Sequence, residues 1–160
     1  MINKLIRWYL RNYKWNNFYI LNLKDLFKNL SKYEYFLIKT DVFYVPKEFP
    51  EKYPIGKDLD IFSSKKDFQK VNNILLDFAN KYKNIFNVKV LKNNKNYKVR
   101  LEKFNNLYFL FDNNCLDFLK EAMKHRIYNN GYYILPLKYE IIFRLYEIKK
   151  IQIKFIILNM

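Results

Sequence analysis

Gly56-Lys57-Asp58-Leu59-Asp60-Ile61-Phe62 is the stretch on which the reading of this chain turns. Polar and apolar residues alternate from Asp58 to Ile61, the period of a half-buried strand. Asp58 and Asp60 therefore project from one face, Leu59 and Ile61 from the other. Gly56 gives that strand a flexible entry. Two carboxylates held side by side repel unless a cation lies between them, and hard oxygen donors of this kind suit Mg²⁺ or Mn²⁺. Asp58 and Asp60 are thus candidate metal ligands and candidate catalytic residues.

Working outward, Pro46, Pro50 and Pro54 break regular structure and make 41–56 a long irregular connection. Before it, 33–39 is rich in aromatic and aliphatic residues and reads as a strand, with Thr40 and Asp41 at its end. Leu23, Leu26, Phe27 and Leu30 have helical spacing, as do Ile2, Leu5, Ile6 and Tyr9 within an N-terminal helical extension over 1–22. After the Asp58 strand, Ser64 with Asp67 three residues on reads as a helix start. Phe68, Val71, Ile74, Leu75, Phe78 and Tyr82 give that helix one apolar stripe. Strands follow over 86–91, 97–103 and 107–112, the last two as a hairpin. A short helix reaches His125, and a second hairpin turns at Asn129-Asn130-Gly131. A helix opening at Pro136 runs to 149, with Glu140 and Arg144 spaced to stabilise it, before a hydrophobic tail over 150–160. This order predicts a single α+β domain over 1–160, a small mixed sheet flanked by helices.

A third carboxylate, Asp112, ends the apolar run 107–111. If that run lies beside the Asp58/Asp60 strand, three acids converge, as in-line phosphoryl transfer on two metal ions demands. At a strand end followed by Asn113-Asn114, Asp112 equally suits a turn or a helix cap. The pattern Gly-x-Asp-x-Asp, behind a strand and a Pro-containing loop, resembles the nucleotidyltransferase fold of polymerase-β-like enzymes. In particular it resembles nucleotidyltransferase-like proteins associated with surface-polysaccharide synthesis. The resemblance spans roughly 23–149, and its specific centre is Gly56 to Asp60. It implies Asp58, Asp60 and Asp112 as metal-binding catalytic residues, Mg²⁺ or Mn²⁺ as cofactor, and transfer from a nucleoside triphosphate to a hydroxyl acceptor. Where the family places a Gly-Ser pair for the phosphates, this chain has Lys39-Thr40, so the nucleotide site is altered or degenerate. Gly56, Lys57, Lys39 and Arg100 are the candidates for nucleotide contact, the cations as phosphate partners. For Arg100, alternating between Val99 and Leu101, exposure opposite a buried face is the simpler reading.

Of the 160 residues, 51% are hydrophobic, enough for one core that buries about two-thirds of the unfolded surface. One cysteine, Cys115, and one histidine, His125, make neither a disulfide nor a zinc ligand set, which fits a reducing compartment. Cys115 reads as packing and His125 as a surface residue. Lys4, Arg7 and Arg11 interrupt any signal-peptide core, and the tail carries Lys154 and falls short of the roughly 20 residues of a span. A cytoplasmic protein without a transmembrane segment is expected. The net charge of +15 attracts polyanions. The bias to Lys, Asn, Ile, Phe and Tyr, with 2 Gly and 4 Pro, also matches an A/T-rich coding sequence. Two further functions follow: a basic protein binding nucleic acid without catalysis, and a glycosyltransferase whose Asp-x-Asp holds Mn²⁺ against a nucleotide-sugar diphosphate.

Overall fold

A computed structural model describes residues 20–39, 47–54, 56–115, 119–142 and 145. The order is β1 (Ile20–Leu21), α1 (Lys24–Leu30), β2 (Tyr35–Leu37), β3 (Tyr53–Pro54), β4 (Lys57–Ser63), α2 (Phe68–Asn80), β5 (Asn87–Lys92), β6 (Asn96–Lys103) and β7 (Asn106–Asn114). Then come α3 (Leu119–Lys124), β8 (Ile127–Asn129), β9 (Tyr132–Ile134) and a helical segment over 137–142. Seven strands form one mixed sheet in the order β5-β6-β7-β4-β2-β9-β8, and β1 pairs with β3 apart from it. β4 runs parallel to β7 and β2 parallel to β9, while the remaining neighbours in the sheet are antiparallel. The expected mixed sheet flanked by helices is therefore the observed one.

Period-two alternation assigns each face of the sheet. Leu59 and Ile61 of β4, Val99 and Leu101 of β6, and Phe109 and Phe111 of β7 join Leu26, Phe27, Leu30, Val71, Leu75 and Phe78 of α1 and α2 in the main core. Burying an aliphatic or aromatic side chain of this size stabilises the fold by about 1.5–3 kcal/mol. The opposite face holds a smaller cluster of Phe36, Ile38, Phe62 and Leu135, covered in part by Ala122 and Met123 of α3. Phe36 stacks on Phe62 across the β2–β4 pairing. Asp58 and Asp60 lie on this second face, in line with Phe62 along β4.

Several local expectations need correction. The 41–56 connection is not irregular throughout, because Tyr53–Pro54 pairs with Ile20–Leu21. The helix after β4 begins at Phe68 rather than Ser64. Asp67 occupies its cap position, but its carboxylate accepts the Glu34 amide at 3.0 Å instead of closing the first turn. Asp112 is neither a turn residue nor a cap, since β7 continues to Asn114. At the 137–142 segment, the Pro136 carbonyl accepts the Tyr139 and Glu140 amides, so the proline sits just before the first turn. Nearly all of the 1–22 extension, all of the 150–160 tail, Thr40, Asp41 and Arg144 lie outside the described residues. No helix among the described residues is long and apolar enough to cross a membrane.

Candidate functional site

Register places the acids. In the parallel pairing of β4 with β7, Asp60 stands opposite Asp112 and Asp58 opposite Leu110. In the antiparallel pairing of β6 with β7, Lys98 stands opposite Asp112 and Arg100 opposite Leu110. Residues paired across a ladder point to the same face. Lys98, Asp112 and Asp60 therefore form a straight row across three strands. On the far side, the Ile38 amide donates to the Asp60 carbonyl at 3.3 Å, and the next residue, Lys39, closes the row. The result is lysine, aspartate, aspartate, lysine.

The charges in this row pair at its two ends. The Lys39 ammonium binds Asp60 Oδ2, and the Lys98 ammonium binds Asp112 Oδ2 at 2.7 Å. Asp112 Oδ1 accepts Asn96 Nδ2 at 2.6 Å and Asn114 Nδ2 at 3.1 Å. The carboxylate side chains are only 14% and 12% exposed, whereas Lys39 and Lys98 are 40% and 36% exposed. The acids are thus fixed in the sheet, with their partners reaching in from solvent. Asp58 lies at the exposed edge of the group. Partial burial, and then the negative charge of Asp60, raise its carboxyl above the ordinary carboxylate range; Asp112 adds to this and Lys39 opposes it.

In donor chemistry the three carboxylates fit a hard divalent cation. They share one face and feel one another's charge, yet among the described residues no three His, Cys, Asp or Glu side chains form a ready ligand set. Asp60 and Asp112 are each paired with an ammonium instead, Lys39 and Lys98 respectively.

Of the other candidates, Gly56 has φ +76°, and its amide donates to the Tyr108 carbonyl at 2.7 Å. A Cβ there would meet nothing within 4 Å, so backbone conformation rather than space calls for glycine. Lys57 opens β4, and its side chain lies outside the described residues. Lys39 has φ +60°, a left-handed turn made without glycine, and its amide donates to Glu140 Oε1 at 3.1 Å. Glu140 is buried and holds this turn, a role beyond stabilising its own helix. Arg100 is on the same face as Asp58 but is engaged by the buried Glu102 at 3.0 Å, which also binds Lys89 at 2.6 Å. It is therefore not simply solvent-facing, and Leu110 stands between it and Asp58 along the row. His125 stacks on Tyr139 with ring centroids 3.9 Å apart, and Cys115 is buried.

Sequence reasoning missed Lys98, Asn96 and the buried chain behind the acids. On the core face, Ser63 Oγ donates to Asn113 Oδ1 at 3.0 Å, and Asn113 Nδ2 donates to Asn72 Oδ1 at 2.7 Å. This ties β4, β7 and α2 together next to Asp112. The signal for Lys98 was present, since the 97–103/107–112 hairpin determines which β6 residue faces Asp112. The Asn113 chain carried none, as Asn113-Asn114 has the composition of a turn. Compared with protein families, with characterised proteins and with solved structures, the chain matches none.

Proposed function

We propose that the chain is a nucleotidyltransferase-like protein that binds a nucleoside triphosphate over the Asp58/Asp60/Asp112 face and transfers its nucleotidyl group to a hydroxyl acceptor. The observation that carries this reading is the register of Asp60 beside Asp112 on parallel strands, with Asp58 two residues before Asp60 on the same face. Asp58, Asp60 and Asp112 would hold Mg²⁺ or Mn²⁺, which when bound supplies charge neutralisation to the triphosphate and the departing pyrophosphate. In the transfer, the acceptor oxygen bonds to the α-phosphorus, the bond to pyrophosphate breaks, and the hydroxyl proton passes to a carboxylate. Asp58 suits that last role because it is the exposed member of the three. Lys39, held in place by Glu140, stands where the first strand of the site ends and offers a point charge for phosphate. Binding of nucleic acid alone has less support, because Lys89, Lys98 and Arg100 each already engage a carboxylate.

Calorimetric titration with a panel of nucleoside triphosphates, in Mg²⁺ and in EDTA, tests the proposal. Metal-dependent binding that is lost in Asp58→Ala/Asp60→Ala is the expected result. Binding that ignores both the metal and the substitutions overturns it.

A further inference from the structure

Among the described residues β5 ends the seven-stranded sheet, and five of its six residues are exposed. Where β5 turns into β6, the Asn93 amide donates to the Asn96 carbonyl at 2.9 Å. Hydrogen-bonded and non-bonded pairs alternate along an antiparallel ladder. Counting back through Lys92/Tyr97, Leu91/Lys98 and Val90/Val99, the backbone amides and carbonyls of Val90 and Lys92 point away from β6. We infer that this edge binds an extended acidic segment of a partner protein as a further strand, with the pattern acidic, apolar, apolar, acidic set against Lys89-Val90-Leu91-Lys92. The inference is independent of the nucleotidyltransferase-like reading.

Charge selects the occupant. From Phe78 to Leu101 the chain carries seven Lys or Arg and no Asp or Glu, whereas over its whole length 30 Lys or Arg stand against 15 Asp or Glu. A second copy of the chain would bring two such acid-free edges together, a like-charge contact. Nucleic acid fits less well, because β5 has no aromatic side chain for bases to stack on and Phe86, just before it, is buried in the core. An acidic polypeptide meets both the lysines and the outward backbone groups.

Geometry supplies the pattern. Alternation puts Val90 and Lys92 on one face of the sheet and Lys89 and Leu91 on the other, so each face offers one apolar contact and one cation. The strand is held in place for pairing: the buried Glu102 carboxylate binds Lys89 at 2.6 Å and Arg100 at 3.0 Å, and Val88 packs against the main core. Lys89 stays half exposed in that pair, within reach of a second carboxylate from outside. Lysines on an edge discourage indiscriminate strand pairing. Here they also favour a strand that brings acids.

The test uses the full chain and a fluorescein-labelled peptide of sequence TEVVET, with TKVVKT as the charge-reversed control. Fluorescence anisotropy is expected to show saturable binding of TEVVET and none of TKVVKT. Amide hydrogen exchange of the parent, read by NMR, is expected to slow at Val90 and Lys92 when unlabelled TEVVET is added, a readout that needs no variant. Lys92→Glu is expected to weaken binding about tenfold, the scale of replacing an exposed attraction by a repulsion. Val90→Pro removes an outward amide without touching the ladder to β6, and is expected to abolish binding while the circular dichroism spectrum stays that of the parent. If TEVVET binds without slowing exchange at these two amides, the contact is adsorption to a basic surface and the docking edge is overturned. It is equally overturned if TEVVET does not bind up to about 1 mM, or if sedimentation shows self-association with both amides protected before any peptide is added.

Discussion

Asn113 offers a direct test of how the acidic row is held. Its side chain is fully buried between Ser63 and Asn72, accepting from one and donating to the other. In Asn113→Ala both partners remain buried with their polar atoms deprived of that bond. Each stranded group costs about 1–3 kcal/mol, so the loss for the pair is about 4 kcal/mol. Against a domain stability of about 5–15 kcal/mol that is a large fraction. Urea denaturation followed by circular dichroism should show a lowered midpoint with an unchanged slope. Replacing Ser63 as well removes one stranded group, so Ser63→Ala/Asn113→Ala should be less destabilised than the sum of the two single variants. An Asn113→Ala loss below about 1 kcal/mol, less than one stranded group costs, would refute the reasoning and show that the β4–β7 register does not lean on this chain.

Two further outcomes follow from local geometry and charge. Phe104 is 81% exposed with φ +51° in the two-residue turn between β6 and β7, so Phe104→Asn should relieve about 1 kcal/mol of left-handed strain and raise the melting temperature by about 3 °C. The folded-state pKa of Asp58 lies above its unfolded value, so its charge costs stability above the folded pKa and that cost disappears as pH falls through the unfolded one. Asp58→Asn should therefore melt higher than the parent at neutral pH, with the advantage fading in acid; an equal gain at every pH would show that charge is not its source.

How far the sequence could be read depended on the distance over which each interaction acts. Alternation in Asp58-Leu59-Asp60-Ile61 and the helical stripe from Phe68 to Tyr82 are local signals, and the strand and helix they specify form within a few residues of the expected bounds. The Asn129-Asn130-Gly131 turn was equally legible, since both Asn130 and Gly131 have the positive φ that such a hairpin requires. The helix start slipped from Ser64 to Phe68 because Asp67 is claimed by Glu34, a residue distant in sequence. The same holds at the site. That Asp58 and Asp60 share a face was readable from spacing, whereas the lysines that meet Asp60 and Asp112 depend on strand pairing. Glu140 reaching back to the Lys39 amide depends on the order of the whole sheet.

That order bears on when the site comes into being. β5, β6 and β7 are neighbours in sequence and can pair through short turns, but β4 must meet β7 in parallel across all of them. β2 lies between β4 and β9, and β9 is made long after it. Pairings that close long loops pay their entropy before they gain contacts, and so form late. During synthesis, Asp58 and Asp60 emerge before Asp112, Asn96 and Lys98 exist to face them. A nascent chain thus carries Lys39, Asp58 and Asp60 without the partners from β6 and β7, and the complete four-residue row is among the last features to mature.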